Sequence, residues 1–173
     1  KQWRQKFVCS SDWLYLFNKI ISFGTMNHVK CFVCYARTDS VFVKKIVNEL
    51  LSNCVDIWFD QINITPGKSW DDEIEVAIQN AQVILFLASP IAVKSQNVKD
   101  ELSYARNINK LILPVIITPC VLPLRYQRNQ QIDLSGNYEN GINHLVSLLI
   151  DEKKLGVSYP FGEPHHCYEV TVL

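Results

Sequence analysis

Apolar residues along this chain fall into five short runs, separated by stretches in which they recur every three or four positions. The runs are Val29-Lys-Cys-Phe-Val-Cys-Tyr35, Val55-Asp-Ile-Trp-Phe59, Val83-Ile-Leu-Phe-Leu-Ala88, Leu111-Ile-Leu-Pro-Val-Ile-Ile117 and the weaker Gln131-Ile-Asp-Leu134. Short apolar runs rich in β-branched residues suit strands buried on both faces, and the period near 3.6 between them suits helices that cover those strands. The alternation predicts an α/β fold: a flavodoxin-like three-layer sandwich, with a central five-stranded parallel sheet in the order 2-1-3-4-5 and helices on both faces.

The helical stretches have legible ends. Val43, Ile46, Val47, Leu50 and Leu51 predict an amphipathic helix from Asp39 to Ser52 with Asp39 as its cap. Ser69 is the expected cap of a helix carrying Trp70, Ile74, Ala77 and Ile78. A third helix is expected from Asn97 to Asn107, with Asn97 as its candidate cap and Val98, Leu102 and Ala105 facing inward, and a last one from Tyr138 to Lys153 with Ile142, Leu145, Val146 and Leu149. Pro114 cannot donate to a ladder, so the fourth strand should be irregular or lie near the sheet margin. Trp58 and Trp70 read as core side chains.

Two connections stand out. Asp60 to Lys68 is nine residues long and punctuated by Pro66-Gly67, against about two to six for most loops in α/β units. Long loops in compact domains tend to carry function. A second, Pro-rich and basic loop runs from Thr118 to Gln130.

The pattern divides the chain into a domain over residues 28–153, an extension over 1–27 and a tail over 154–173. The extension carries Trp13-Leu-Tyr-Leu-Phe17, Ile20, Ile21 and Phe23, interrupted by Asn18 and Lys19. It is too short and broken to span a bilayer and reads as an amphipathic helix, either an upstream extension or a linker. The tail loses periodicity beyond Gly156.

Charge narrows the partners. Lys and Arg number 17 against 17 Asp and Glu, scattered rather than striped, which argues against nucleic acid as a direct partner. The chain holds six cysteines, but it is long enough to build its own core and shows no signal-peptide pattern. Buried thiols in a reduced cytoplasm are therefore expected rather than a disulfide framework. Cys31 and Cys34 resemble a metal or redox pair, yet an offset of three along a strand sends them to opposite faces. His165, His166 and Cys167 lack a second cluster at ligand spacing, and no metal or cofactor is expected.

In the predicted strand order a ligand crevice opens between strands one and three, where the order reverses. The loops there supply Tyr35, Ala36 and Arg37 on one side and Ser89 on the other. Glu101 falls early in the following helix, beside its apolar stripe, from which its carboxylate reaches back toward the crevice. Arg37 reads equally as a surface partner of Asp39. A phosphoacceptor receiver domain would need an aspartate where Ala88-Ser89 stands, and no Gly-rich dinucleotide loop or P-loop is present.

Taken in order, Phe32-Val-Cys-Tyr-Ala-Arg-Thr-Asp39, Ile57-Trp-Phe-Asp60, Pro66-Gly-Lys-Ser-Trp70, Leu85-Phe-Leu-Ala-Ser-Pro90 and Asn97-Val-Lys-Asp-Glu101 resemble a Toll/interleukin-1 receptor (TIR) domain of the bacterial, NAD-cleaving type over about residues 28–150. The resemblance implies an NAD+ nucleosidase of defence or cell-death signalling in the cytoplasm, releasing nicotinamide and either ADP-ribose or a cyclic isomer. By it, Glu101 is the catalytic residue, while Tyr35, Ala36, Arg37, Asp60, Gly67, Lys68, Ser89 and Asn97 bind substrate. Asn97 stands where the family usually has tryptophan, a departure at the pocket wall. The resemblance also implies head-to-tail self-association with other TIR domains through the long loop, with NAD+ as substrate rather than cofactor. The other reading it carries is a non-enzymatic module that works by homotypic TIR contacts.

Overall fold

Strand β1 (Lys30–Cys34) sends alternate side chains into two separate cores. Cys31, Val33 and Tyr35 enter one, while Phe32, Cys34 and Ala36 enter the other. The two thiols thus lie on opposite faces, both free and buried. The computed structural model of the chain describes residues 29–60, 70–151 and 155. The expected helix within 1–27, the Ser69 cap, the loop residues Gly67 and Lys68, and the cluster His165, His166 and Cys167 lie outside them.

Around β1 the sheet builds in the order β2-β1-β3-β4-β5, every pair parallel, with β2 at Asp56–Trp58, β3 at Val83–Ala88, β4 at Leu111–Ile116 and β5 at Ile132–Asp133. Helices α1 (Ser40–Ser52) and α5 (Tyr138–Ile150) cover the first face. Their Val43, Ile46, Val47, Leu50, Ile142, Leu145 and Leu149 meet Val33, Val83, Leu85 and Val115. Helices α2 (Trp70–Asn80) and α3 (Gln96–Asn107), with the short α4 (Leu124–Gln127), cover the second, where Ala77, Ile78, Val98, Leu102, Ala105 and Tyr126 pack on Phe32, Ile84 and Phe86. The change of face between α1 and α2 follows from right-handed crossovers running outward to β2 and then back across β1 to β3.

Pro114 sits inside β4, opposite Phe86. Ile117 donates to Ala88 on the β3 side, while Ile116 accepts from Leu134 on the β5 side. Since neighbouring residues of a parallel strand address opposite partners, Pro114 turns its missing donor toward β5. That strand begins to pair only at Val115, so the proline costs the sheet no bond.

Two caps differ from the sequence reading. Asp39 precedes α1 after a 3₁₀ turn, Arg37–Asp39, but its side chain makes no capping bond. α3 is capped by Ser95, whose hydroxyl accepts from the Val98 N–H, and not by Asn97, which lies inside the first turn. The helix stops at a left-handed residue, Asn109, with φ 57°, a conformation asparagine tolerates better than most residues. α5 ends at Ile150 rather than Lys153.

Candidate active site

A cleft of about 320 Å³ opens at the carboxyl end of the sheet, on the face covered by α2 and α3. β1 and the turn after it supply Phe32, Tyr35 and Arg37; β2 and the residues after it supply Trp58 and Asp60. α3 contributes Asn97, Asp100, Glu101 and Tyr104, and α2 closes the far wall with Asp71, Ile74 and Glu75. The cleft therefore lies over the β1–β2 side of the sheet rather than between β1 and β3, and α3 brings its residues in from the β3 side.

Glu101 lies in the second turn of α3 and is half-buried. Loss of water around it, the largest influence, pushes its carboxyl up to about 7. A hydrogen bond from Cys34 and the Arg37 guanidinium act the other way, while Asp60 and Asp100 add repulsion. Burial thus holds a carboxyl in the cleft against its preferred solvation, with its proton balanced near neutrality.

Tyr35 is buried, packs its ring 5.3 Å from that of Phe59, and donates its hydroxyl to Asp60 Oδ1 at 2.7 Å. This bond orients Asp60 toward the cleft. Arg37 is exposed at the rim. On the far side Tyr104 donates to Glu75 Oε1 at 2.7 Å and accepts from Gln79 Nε2 at 2.6 Å, which ties α2 to α3 across the cleft.

The structure thus brings Tyr35, Arg37, Asp60, Asn97 and Glu101 together. Two expected binding residues stay out of the cleft. Ser89 is 2% exposed, donates to Asp39 Oδ2 at 2.6 Å and accepts from the Ala92 N–H at 3.0 Å, so its hydroxyl is committed to the protein. Ala36 is buried in the core beneath α3. Trp58, read from sequence as core, is only half-buried. It stacks on Phe32 with ring centroids 4.9 Å apart and lines the cleft. Tyr104 was not singled out by sequence; its place one turn beyond Glu101 on the same helix is the signal that points to it.

Carboxylates dominate the lining: Asp60, Asp71, Glu75, Asp100 and Glu101 surround it, with Arg37 as a cation at the rim. Such a cavity favours a cationic group inside and an anionic one near the entrance, and the half-buried Trp58 ring offers a flat apolar surface between. Among the described residues no group of three or more His, Cys, Asp and Glu is arranged to hold a metal. Among the same residues no helix is long and apolar enough to cross a membrane.

The TIR domain family matches residues 31–146. Among solved structures the fold is similar to the TIR domain of the Toll-related receptor TRR-2 from Hydra magnipapillata, with a TM-score of 0.63 at 19% identity, over 70% of this chain and 98% of that one. It is also similar to a TIR-STING receptor from C. gigas solved with 2',3'-cGAMP, with a TM-score of 0.60 at 19% identity, over 70% of this chain and 39% of that one. No curated protein matches the chain.

Proposed function

Because this chain belongs to the TIR domain family, we propose that it is an NAD+ nucleosidase in which Glu101 is the catalytic carboxylate. The observation that carries this reading is Glu101 itself: half-buried, lining a cleft, with its proton balanced near neutral pH by desolvation.

Cleavage of the nicotinamide–ribose bond leaves both bonding electrons on the ring nitrogen. The cationic base becomes neutral as it departs, so no general acid is required. The positive charge moves to the ribosyl carbon, and a carboxylate beside it stabilises that developing charge in a site shielded from water. This accounts for one principal carboxylate rather than the acid and base pair of ordinary glycosidases. Water adding to the ribosyl carbon and losing a proton gives ADP-ribose; addition by a group of the adenosine half gives a cyclic isomer.

The remaining residues fit supporting roles. The acidic lining attracts the nicotinamide cation, Trp58 offers it a stacking surface, and Arg37 at the rim suits the diphosphate. Tyr35 holds Asp60 in register with the ribose site. Binding of a cation beside Glu101 also favours the ionised carboxylate, so substrate activates its own catalyst. Gly67 and Lys68 would complete the site from the long loop, laid against the neighbouring copy in a head-to-tail assembly, with the protein acting in the cytoplasm. Heterologous contacts of that kind propagate when the rotation does not close.

Incubation of the protein with NAD+ and analysis of the products by mass tests the reading. Nicotinamide with ADP-ribose or its cyclic isomer is the expected result. Intact NAD+ over a range of protein concentrations and crowding would overturn it and leave a scaffold that acts through TIR–TIR contacts.

A further inference from the structure

Along the strands the cleft has a mouth and an inner end. α2 and α3 each leave the carboxyl end of one strand and return to the amino end of a parallel one, so both run against the direction of the sheet. Successive turns of either helix therefore stand deeper. On α3 the descent runs from Asn97 at the mouth through Glu101 to Tyr104, and on α2 from Asp71 to Glu75. The stacked rings of Phe32 and Trp58, paired in register across β1 and β2, lie toward the inner end.

There the Tyr104 hydroxyl donates to Glu75 Oε1 at 2.7 Å and accepts from Gln79 Nε2 at 2.6 Å. Lys110 donates to the Gln79 carbonyl oxygen, which ties the end of α2 to the residue before β4. A carboxylate can accept several hydrogen bonds. Glu75 is thus fixed in place and keeps capacity for a ligand. Glu101 and Tyr104 are three residues apart on one helix face, a spacing that sets their Cβ atoms about 5–6 Å apart. The groups along the cleft then follow the order of groups in a pyridinium dinucleotide: Arg37 at the rim for the diphosphate, Glu101 for the ribose, and Trp58 with Glu75 for the base.

We propose that Glu75, positioned by Tyr104, is a specificity-determining residue, whose carboxylate accepts a hydrogen bond from the carboxamide of the pyridinium ring and repels a ring that carries a carboxylate in its place. The inference rests on the reading of the cleft as a pyridinium-nucleotide site. A carboxamide brings two N–H donors, whereas a carboxylate brings acceptors only. Against a fixed anion the first is satisfied and the second meets like charge, and such repulsion gives specificity. Asp71 carries the same charge one turn nearer the mouth, so it reports the field of the acidic lining as a whole.

The test is calorimetry in the Glu101→Gln background, where no turnover is expected, with NAD+ and with its analogue that has nicotinate in place of nicotinamide. NAD+ is expected to bind about thirtyfold tighter or more, the scale of one hydrogen bond to a charged group. Glu75 is exposed, so Glu75→Gln leaves the core intact. It should cut the ratio to about threefold or less, chiefly by tightening the analogue, because the new amide can donate to its carboxylate. Tyr104→Phe should lower the ratio partway, and Asp71→Asn should leave it within about twofold. A ratio that survives Glu75→Gln, one that is unchanged in Tyr104→Phe, or one that falls as far in Asp71→Asn would overturn the proposal. The two readings fail separately. Discrimination that depends on Glu75, without nicotinamide release by the parent protein, sinks the nucleosidase reading alone; release without discrimination sinks this one alone. A protein that binds neither dinucleotide overturns both.

Discussion

Ser89 Oγ donates to Asp39 Oδ2 at 2.6 Å, tying the residue after β3 to the turn that carries Arg37. The bond spans the point where the strand order reverses, the place where α/β sheets commonly receive ligands. Here the gap is closed by a hydrogen bond within the chain, and the open cleft lies to one side. Ser89→Ala removes the donor to Asp39 and the acceptor for the Ala92 N–H together. Bonds to charged groups contribute about 1.5–3 kcal/mol, so chemical denaturation should find the variant less stable by about that amount. Its KM for NAD+ should rise as the Arg37 turn loosens, with kcat changing less.

Glu101→Gln separates catalysis from stability. A carboxyl raised to about 7 from its ordinary value near 4.5 is favoured in its neutral form by the folded state. The folded protein therefore binds more protons than the unfolded chain between those values. Stability is highest below about pH 4.5, falls as pH rises toward about 7, and is flat above as far as this group is concerned. Glutamine is neutral throughout, so the variant should lose that slope and above neutrality be more stable than the parent by up to about 3 kcal/mol. Melting curves on both sides of neutrality measure it; equal slopes in the two proteins would contradict the burial argument.

With Glu101 acting as an ionised carboxylate, as proposed, kcat/KM of the parent protein for NAD+ should rise through about pH 7 and then level. A profile that falls through the same range would assign Glu101 an acid role instead.

Tyr35→Phe deletes the hydroxyl that holds Asp60 while keeping the ring contact with Phe59. A single hydrogen bond to a charged group predicts a stability loss of about 1.5–3 kcal/mol and roughly a tenfold loss in kcat/KM. An unchanged kcat/KM would remove Asp60 from the site.

Gly141 tests the fold. Helix propensity alone favours alanine there by about 1 kcal/mol, but a Cβ would strike the Asp133 carbonyl oxygen and lie 2.6 Å from Leu134 Cδ2. Backbone oxygen at the end of β5 cannot yield as a side chain can. Packing should win, leaving Gly141→Ala less stable than the parent by about 1–3 kcal/mol in thermal unfolding.

Much of this architecture was legible because buried parallel strands write themselves as apolar runs. β3 matches its run, Val83–Ala88, residue for residue, and the opposite faces of Cys31 and Cys34 follow from strand geometry. Glu101 was legible because an acidic residue beside the stripe Val98, Leu102 and Ala105 must sit at the edge of the packed face. Ser89 misled because topology says which loops flank the crevice but not which hydroxyls turn inward, and Asp39 offered it a nearer acceptor. The α3 cap was missed for a related reason: Ser95 and Asn97 are both good caps, and only the backbone chooses between them. Trp58 does pack on the core through Phe32, as read, but an aromatic on an edge strand is covered on one side only, so it stays half-buried and lines the cleft as well.

The most direct test compares nicotinamide release by the parent and by Glu101→Gln, at equal protein concentration, above neutral pH, where the parent carboxylate is ionised. The account predicts steady release from the parent, none measurable from the variant, and a variant at least as stable. Comparable release from both proteins would contradict it.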